Sequence, residues 1–360
     1  MTFASTARRV AALVAAACVT AFILTPAAPV QAADNGAWAV TPTQKGDFTP
    51  RQYFFVEASG GQSIRDSITI KNVSDQPLVL DVYPADAFNV PVGGGFALKD
   101  QDVANSDVGT WIKLSRSKVE VPAATIDGKT GNIVPGESRV PFVMTVPRGV
   151  SPGDHAGGIA TLEPAPKASP GGGSQLLLRR NLGVRMYVRI SGPLTPSMSV
   201  QKVELDGIAA RLPYIGRQGG ATVTYTIKNT GNVRITPGRL LTLKGVFGRT
   251  LHSSGAGQTP EILPGSTVIL SETFVGMPVL DRVTARVVLD AKELPTKPAG
   301  DTTKWVVSWI FLGLVLALLV AVLTAVWWAR RHDGAVGGAE EASDAQVLVD
   351  SQPELESAPE

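Results

Sequence analysis

Apolar and polar residues alternate along this chain in one short stretch after another. In "SITIKN" (67–72), Ile68 and Ile70 fall on one face of an extended strand, and Ser67, Thr69 and Lys71 on the other. The same period runs through "QYFFVEA" (52–58), "LVLDVYPA" (78–85), "RVPFVMTVP" (139–147), "VRMYVRI" (184–190), "SMSVQKVEL" (197–205), "ATVTYTIKN" (221–229), "STVILSETF" (266–274) and "RVTARVVLD" (282–290). Gly, Pro, Asn and Asp punctuate the gaps. Short strands at regular spacing with turn signals predict β-sandwiches. A helical period lasting about twelve residues or more is confined to two apolar segments, one near each end.

Two strand patterns occur twice. "ITIKNVSDQPLVL" (68–80) returns as "YTIKNTGNVRITP" (225–237): an alternating strand ending in Lys-Asn, a polar turn, then a returning segment. Asn suits such a turn because it tolerates positive φ and its side chain can bond the nearby backbone. "IVPGESRVPFVMTVP" (133–147) is echoed by "ILPGSTVILSETFVGMP" (262–278), where a Pro-Gly turn opens the last apolar strand. The separation from Asn to Pro is longer in the first copy, which places an insertion within 87–127. The economical reading is all-β, with two tandem immunoglobulin-like sandwiches (33–193 and 194–293); convergent turn chemistry in one larger sheet protein is the alternative. "PAPKASPGGGSQ" (164–175) is expected to project from a long hairpin of the first domain rather than to divide the two domains.

The two apolar ends carry the chain's address. Arg8 and Arg9, the apolar run 10–24 and "PVQA" (29–32) compose a secretory signal, with cleavage expected after Ala32. The sole cysteine, Cys18, falls inside it, so the mature chain has no disulfide, thiolate metal site or Cys nucleophile. The stretch 305–328 holds no charged residue and measures roughly 36 Å as a helix, enough for a bilayer. Trp305, Trp309, Trp327 and Trp328 sit near its ends as interface anchors, and Arg330 and Arg331 follow, placing the C-terminus in the cytoplasm. A stalk is expected over 294–304 and an acidic, disordered tail over 329–360. Residues 33–304 carry 29 Lys and Arg against 23 Asp and Glu, a net of +6. The tail carries 2 against 8, a net of −6. The outer excess suits anionic wall polymers or headgroups and is too scattered for nucleic acid.

Catalytic sets are not apparent. His252-Ser253-Ser254 lacks a nucleophile elbow and reads as an exposed turn. Asp100 and Asp102 have the spacing of alternate oxygen ligands, but Ala104 occupies the next position, so no metal site is expected. No cofactor is implied. Glycan binding would draw on aromatic faces beside hydrogen-bonding groups. Tyr83, Phe88, Asn89, Phe96 and Trp111, in and beside the insertion, are the candidate wall-contacting set. Trp111 also reads as a core residue opening a strand.

In order along the chain, "WAVTPT" (38–43), the stretch 53–87, "VPGESRVPFVMTVP" (134–147), "PGDHAGGIATLEP" (152–164) and "GVRMYVRISG" (183–192) resemble the WxL-interacting surface proteins of Gram-positive bacteria. The resemblance covers about half the chain by motif and nearly all of it by layout. It implies a peptidoglycan-binding first domain, a second domain that binds a protein partner or acts as a spacer, and a single-pass anchor with the ectodomain facing the wall. The segment 86–107 departs from the family's pattern. The resulting expectation is a non-catalytic adhesion or scaffolding protein. A sensory or accessory subunit signalling through the helix and tail is the rival reading, and a wall hydrolase a second rival.

Overall fold

The computed structural model describes residues 38–44, 46, 50–163, 167–168, 177–178, 180–213 and 218–349. The expected signal segment and the last residues of the tail lie outside them. In the first unit the alternation resolves into β1 (Trp38–Pro42), β2 (Phe54–Ala58), β3 (Ser63–Asn72), β4 (Leu78–Asn89), β5 (Phe96–Leu98), β6 (Ile112–Leu114) and β7 (Lys118–Val121). These are followed by β8 (Thr125–Ile126), β9 (Ile133–Val134), β10 (Gly136–Thr145), β11 (Gly153–Leu162), β12 (Lys167–Ala168), β13 (Leu177–Leu178) and β14 (Asn181–Ile190). A single helical turn, α1 (Val108–Trp111), precedes β6.

One sheet has the order β1-β3-β10-β6; the other runs β2-β14-β11-β4-β5, with β7 also on β4. Ile68 and Ile70 of β3, Val140 and Phe142 of β10, Leu80 of β4 and Met186 of β14 meet between them in one core. Each such side chain contributes about 2 kcal/mol by leaving water. Trp38, fully buried, spans the layers and donates its indole N–H to Thr161 Oγ1 at 2.9 Å. The hairpin β11–β14 pairs from Gly153↔Ile190 to Leu162↔Asn181. The Pro/Gly/Ser-rich stretch 164–175 lies outside the described residues except for 167 and 168.

The second unit comprises β15 (Met198–Ile208), β16 (Gly219–Asn229), β17 (Gly238–Lys244), β18 (Thr250–Ser253), β19 (Gly257–Gln258), β20 (Thr267–Met277), β21 (Leu280–Asp290) and β22 (Ala299–Val307). The sheets β15-β16-β20 and β18-β17-β21-β22 enclose a separate core around Tyr225, Ile227, Leu241, Val283 and Leu289. Strand β22 corrects the expected stalk: it pairs with β21 from Leu280↔Val307 to Val288↔Ala299. Its sequence is polar because it is an edge strand, and of its side chains only that of Val306 is fully buried. Trp305 accordingly sits on a strand and not in the membrane helix. Helix α2 runs Trp309–Val349, continuing well into the region expected to be unstructured. Within it, Trp309–Arg331 contains an 18-residue window of mean hydropathy 2.8, none of it buried against the protein. Its 23 residues reach about 34 Å, sufficient to cross a bilayer.

The repeat has a physical cause. Asn72, at the end of β3, is fully buried and holds the following turn through its side-chain amide. Its Nδ2 donates to Gln76 O (2.7 Å) and Pro122 O (2.9 Å), and its Oδ1 accepts the Ser74 N–H (2.9 Å). Asn229, at the end of β16, does the same with Val233 O (2.8 Å), Ile262 O (2.9 Å) and the Gly231 N–H (3.0 Å). Both Asn residues keep negative φ, so the amide chemistry rather than backbone freedom selects them. The strands after the Pro-Gly turns, β10 and β20, pair antiparallel with β3 and β16 respectively.

Candidate functional site at the junction of the two units

The insertion in the first unit builds a joint. Beyond Asn89, the β4–β5 hairpin tip lies along the free edge of β20. Gly93 N–H donates to Ile269 O (3.0 Å), Ile269 N–H donates to Pro91 O (2.7 Å), and Val92 bridges Ile269 in parallel. Gly94, with φ of +72°, lets the tip turn against Val268 and Pro260, where a Cβ would meet Val268 Cγ1 at 2.7 Å. Asn89 bridges the units: Nδ2 donates to Gly94 O and Glu261 O (both 2.8 Å), and Oδ1 accepts the Leu263 N–H (2.8 Å).

A second clasp centres on Asp154, whose carboxylate is nearly buried. Arg189 of the first unit donates to it from Nε (2.6 Å) and Nη2 (2.8 Å). From the second unit it accepts the Arg234 N–H at 3.0 Å. The Asp154 N–H in turn donates to Asn232 O at 2.8 Å. Gly153 must be glycine there, since a Cβ would meet Asn232 O at 2.3 Å. Asn232 also ties down the linker, donating to Pro152 O and Pro193 O (2.9 Å each) and accepting the Thr195 N–H (2.7 Å). The Arg234 guanidinium stacks 3.9 Å above the Tyr187 ring and pairs with Glu261 at 3.4 Å. Burial, together with the Glu261 charge, pushes the Tyr187 phenol up to about 12.

Between the clasps lies a cleft of about 390 Å³. Phe88, 39% exposed, forms one wall. His155, Asp107 and Ser151 from the first unit and Asn232 and Ser266 from the second supply polar groups. Asp86 shapes the loop that carries Asp107. Burial favours its neutral form, yet the N–H groups of Ser106 (2.6 Å) and Gly109 (2.8 Å) and the Lys99 ammonium (3.1 Å) hold its carboxyl below 3.8.

His155 donates from Nδ1 to Asp107 (2.8 Å) and from Nε2 to Ser151 O (3.0 Å), the two-donor arrangement of an imidazolium. Burial lowers its pKa, but the hydrogen bonds to Asp107 and Ser151 and the charges of Asp107 and Asp154 raise it above 6.5 overall. The stabilisation is therefore complete below the unfolded value and lost as pH rises through the raised folded value. Thermal unfolding of the full chain from about pH 6 to about pH 9 should show falling stability, and Asp107→Asn should flatten the slope. An unchanged slope in that variant would contradict the pairing.

The candidate glycan set divides. Phe88 lines the cleft. Tyr83, Asn89 and Trp111 are buried and engaged within the protein, which corrects their reading as surface contacts. The Tyr83 hydroxyl accepts from Asn181 Nδ2 (2.7 Å), Asn89 joins the units, and Trp111 packs in the first core beside His155. Phe96 is half-buried, edge-on to Tyr187 and under the Arg185 guanidinium at 4.7 Å. His252 packs on Phe274. Among the described residues no group of three His, Cys, Asp or Glu could hold a metal ion. Asp154, Asn232 and Arg234 were missed by sequence reasoning, since no local pattern marks a residue that bonds across 80 positions.

The chain matches no family model and no curated protein. Among solved structures, the class 5 fimbriae chaperone CfaA is similar over 74% of this chain and 98% of its own, at 11% identity and a TM-score of 0.31. The CupB2 chaperone of Pseudomonas aeruginosa covers 69% and 95%, at 13% and 0.30. The DraB chaperone of E. coli covers 75% and 96%, at 12% and 0.30. At this similarity they say nothing of what this chain binds.

Proposed function

We propose that this chain is a membrane-anchored, non-catalytic surface protein that binds peptidoglycan or a related wall polymer. The reading is carried by the junction cleft, where the exposed Phe88 ring stands beside His155, Asn232 and Ser266. A sugar's C–H face stacks on such a ring while its hydroxyls find directional partners around it. The net positive charge of 33–304 suits an anionic polymer. The membrane-length helix supports an anchor, and the resemblance to WxL-interacting proteins supports the wall as target, with a surface protein as a further partner.

Co-sedimentation of the full detergent-solubilised chain with purified sacculi tests this. Phe88→Ala should weaken binding roughly tenfold with at most a modest loss of thermal stability, because the ring is only partly buried. Wild-type pelleting by that variant would remove the cleft from the proposal. The continuity of α2 to Val349 favours a second reading, in which the ectodomain's state is passed to the cytoplasmic segment. Truncation after Arg331 that keeps surface display yet abolishes a cellular response would support it.

A further inference from the structure

The turn 245–249 between β17 and β18 projects a phenylalanine into solvent in a conformation that L-residues avoid. Phe247 has φ of 59° and ψ of 20°, and is the only non-glycine residue with positive φ among the described residues. Its exposure is 104% of a free residue's. The turn is nevertheless firmly built. Gly245 N–H donates to Arg249 O (2.7 Å) and Gly248 N–H to Gly245 O (3.1 Å). The nearly buried Asp281 carboxylate accepts from Val246 N–H (2.8 Å), Arg282 N–H (2.8 Å) and Arg249 Nη2 (2.7 Å). A Cβ on residue 245 would meet Asp281 Oδ2 at 2.4 Å, so glycine is needed to seat the turn. Nothing among the described residues covers the ring that this scaffold holds out.

Register locates the turn. Lys244 pairs with Thr284 and Thr284 with Thr303, while Asp281 pairs with Val306. Ser308 N–H donates to Val279 O at 2.7 Å, and α2 opens at Trp309. The turn therefore stands at the end of the second unit from which the membrane-length helix departs. Exposed Val246, Leu280 and Trp305 share that end. Lys244, Arg249 and Arg282 are exposed around them. An apolar tip ringed by cations suits one surroundings well: the interface of a bilayer with anionic headgroups.

We infer that the 245–249 turn is a second membrane contact, which inserts Phe247 among lipid headgroups and fixes the tilt of the second unit on the bilayer. The inference rests on α2 spanning the membrane. With a tether at Trp309 and a wedge at Phe247, the unit is held at two points and the junction cleft points in a set direction.

Depth measurement in vesicles separates the two claims. The full chain, on a Cys18→Ser background, carries an environment-sensitive fluorophore at Phe247→Cys, at Trp309→Cys or at Asp102→Cys. Each is reconstituted in phosphatidylglycerol–phosphatidylcholine vesicles containing lipids spin-labelled near the headgroup. The expected result is a blue shift at 247 and quenching roughly half or more of that at 309, with none at 102. Quenching at 309 but not at 247 would overturn the wedge and leave the anchor standing. Quenching at neither would overturn the membrane reading itself. Phe247→Gly supplies a check on folding: glycine adopts this φ freely, so thermal stability should hold or rise. A loss of stability would show that the ring serves the protein's own packing and would overturn the inference.

Discussion

Asp154→Ala is expected to destabilise the paired β-sandwich units by about 3–5 kcal/mol and to loosen them from each other. The carboxylate is almost wholly out of water and answers two groups from different units, the Arg189 guanidinium and the Arg234 N–H. Removing it leaves the Arg189 cation partly buried without its partner, and leaves Arg234 with Glu261 and the Tyr187 and Phe55 faces. Calorimetry of the full chain should then show the first and second units melting apart, where the wild type is expected to melt as one. Asp154→Asn tests the charge separately: it preserves the volume and an acceptor for the Arg234 N–H, so the loss should be smaller. A change under about 1 kcal/mol in the alanine variant would mean that solvent satisfies the arginines and that the clasp does little.

The second large effect concerns the duplicated asparagines. Asn229→Ala should cost about 2 kcal/mol, because it leaves the buried Val233 carbonyl without its partner and strips a second bond from Ile262 O and the Gly231 N–H, which keep the Ile235 N–H and Ser197 O. Asn72→Ala should cost a similar amount, because it frees the Pro122 carbonyl and the Ser74 N–H while Gln76 O keeps only the Ser74 hydroxyl. The two sites belong to separate cores, so the double variant should lose nearly the sum. Urea unfolding reads this as a lower midpoint with unchanged slope. A strongly unequal pair would show that the repeat is one of sequence and not of energetic role.

How far the sequence could be read depended on whether a feature was local. Strands such as β3 and β16 were legible because alternation over a few residues records which face is buried. The Asn turns were legible because the side chain bonds backbone only two and four residues on. Strand β22 was not, since an edge strand offers little apolar periodicity, and "AGDTTK" reads equally well as a tether. The aromatic and amide residues of the insertion were seen but assigned to a ligand. Carbohydrate contacts and domain contacts use the same residue types, and only tertiary pairing distinguishes them: Asn89 meets Leu263, 174 positions away. Phe88 differs from Asn89 by the alternation of β4 alone, which turns one toward the cleft and the other into the joint. Phe247 carried no signal, because a single aromatic in "KGVFGRT" looks like any turn until its φ and its place beside α2 are known.

The central claim is that wall polymer binds in the cleft between the two units. Hydrogen exchange of the full chain, with and without soluble peptidoglycan fragments, tests it most directly. Added protection is expected at 87–88, 151–152, 154–156, 231–232 and 263–266, which come from both units and line one cavity. Protection absent there, or confined to surfaces away from the cleft while the fragments demonstrably bind, would contradict it.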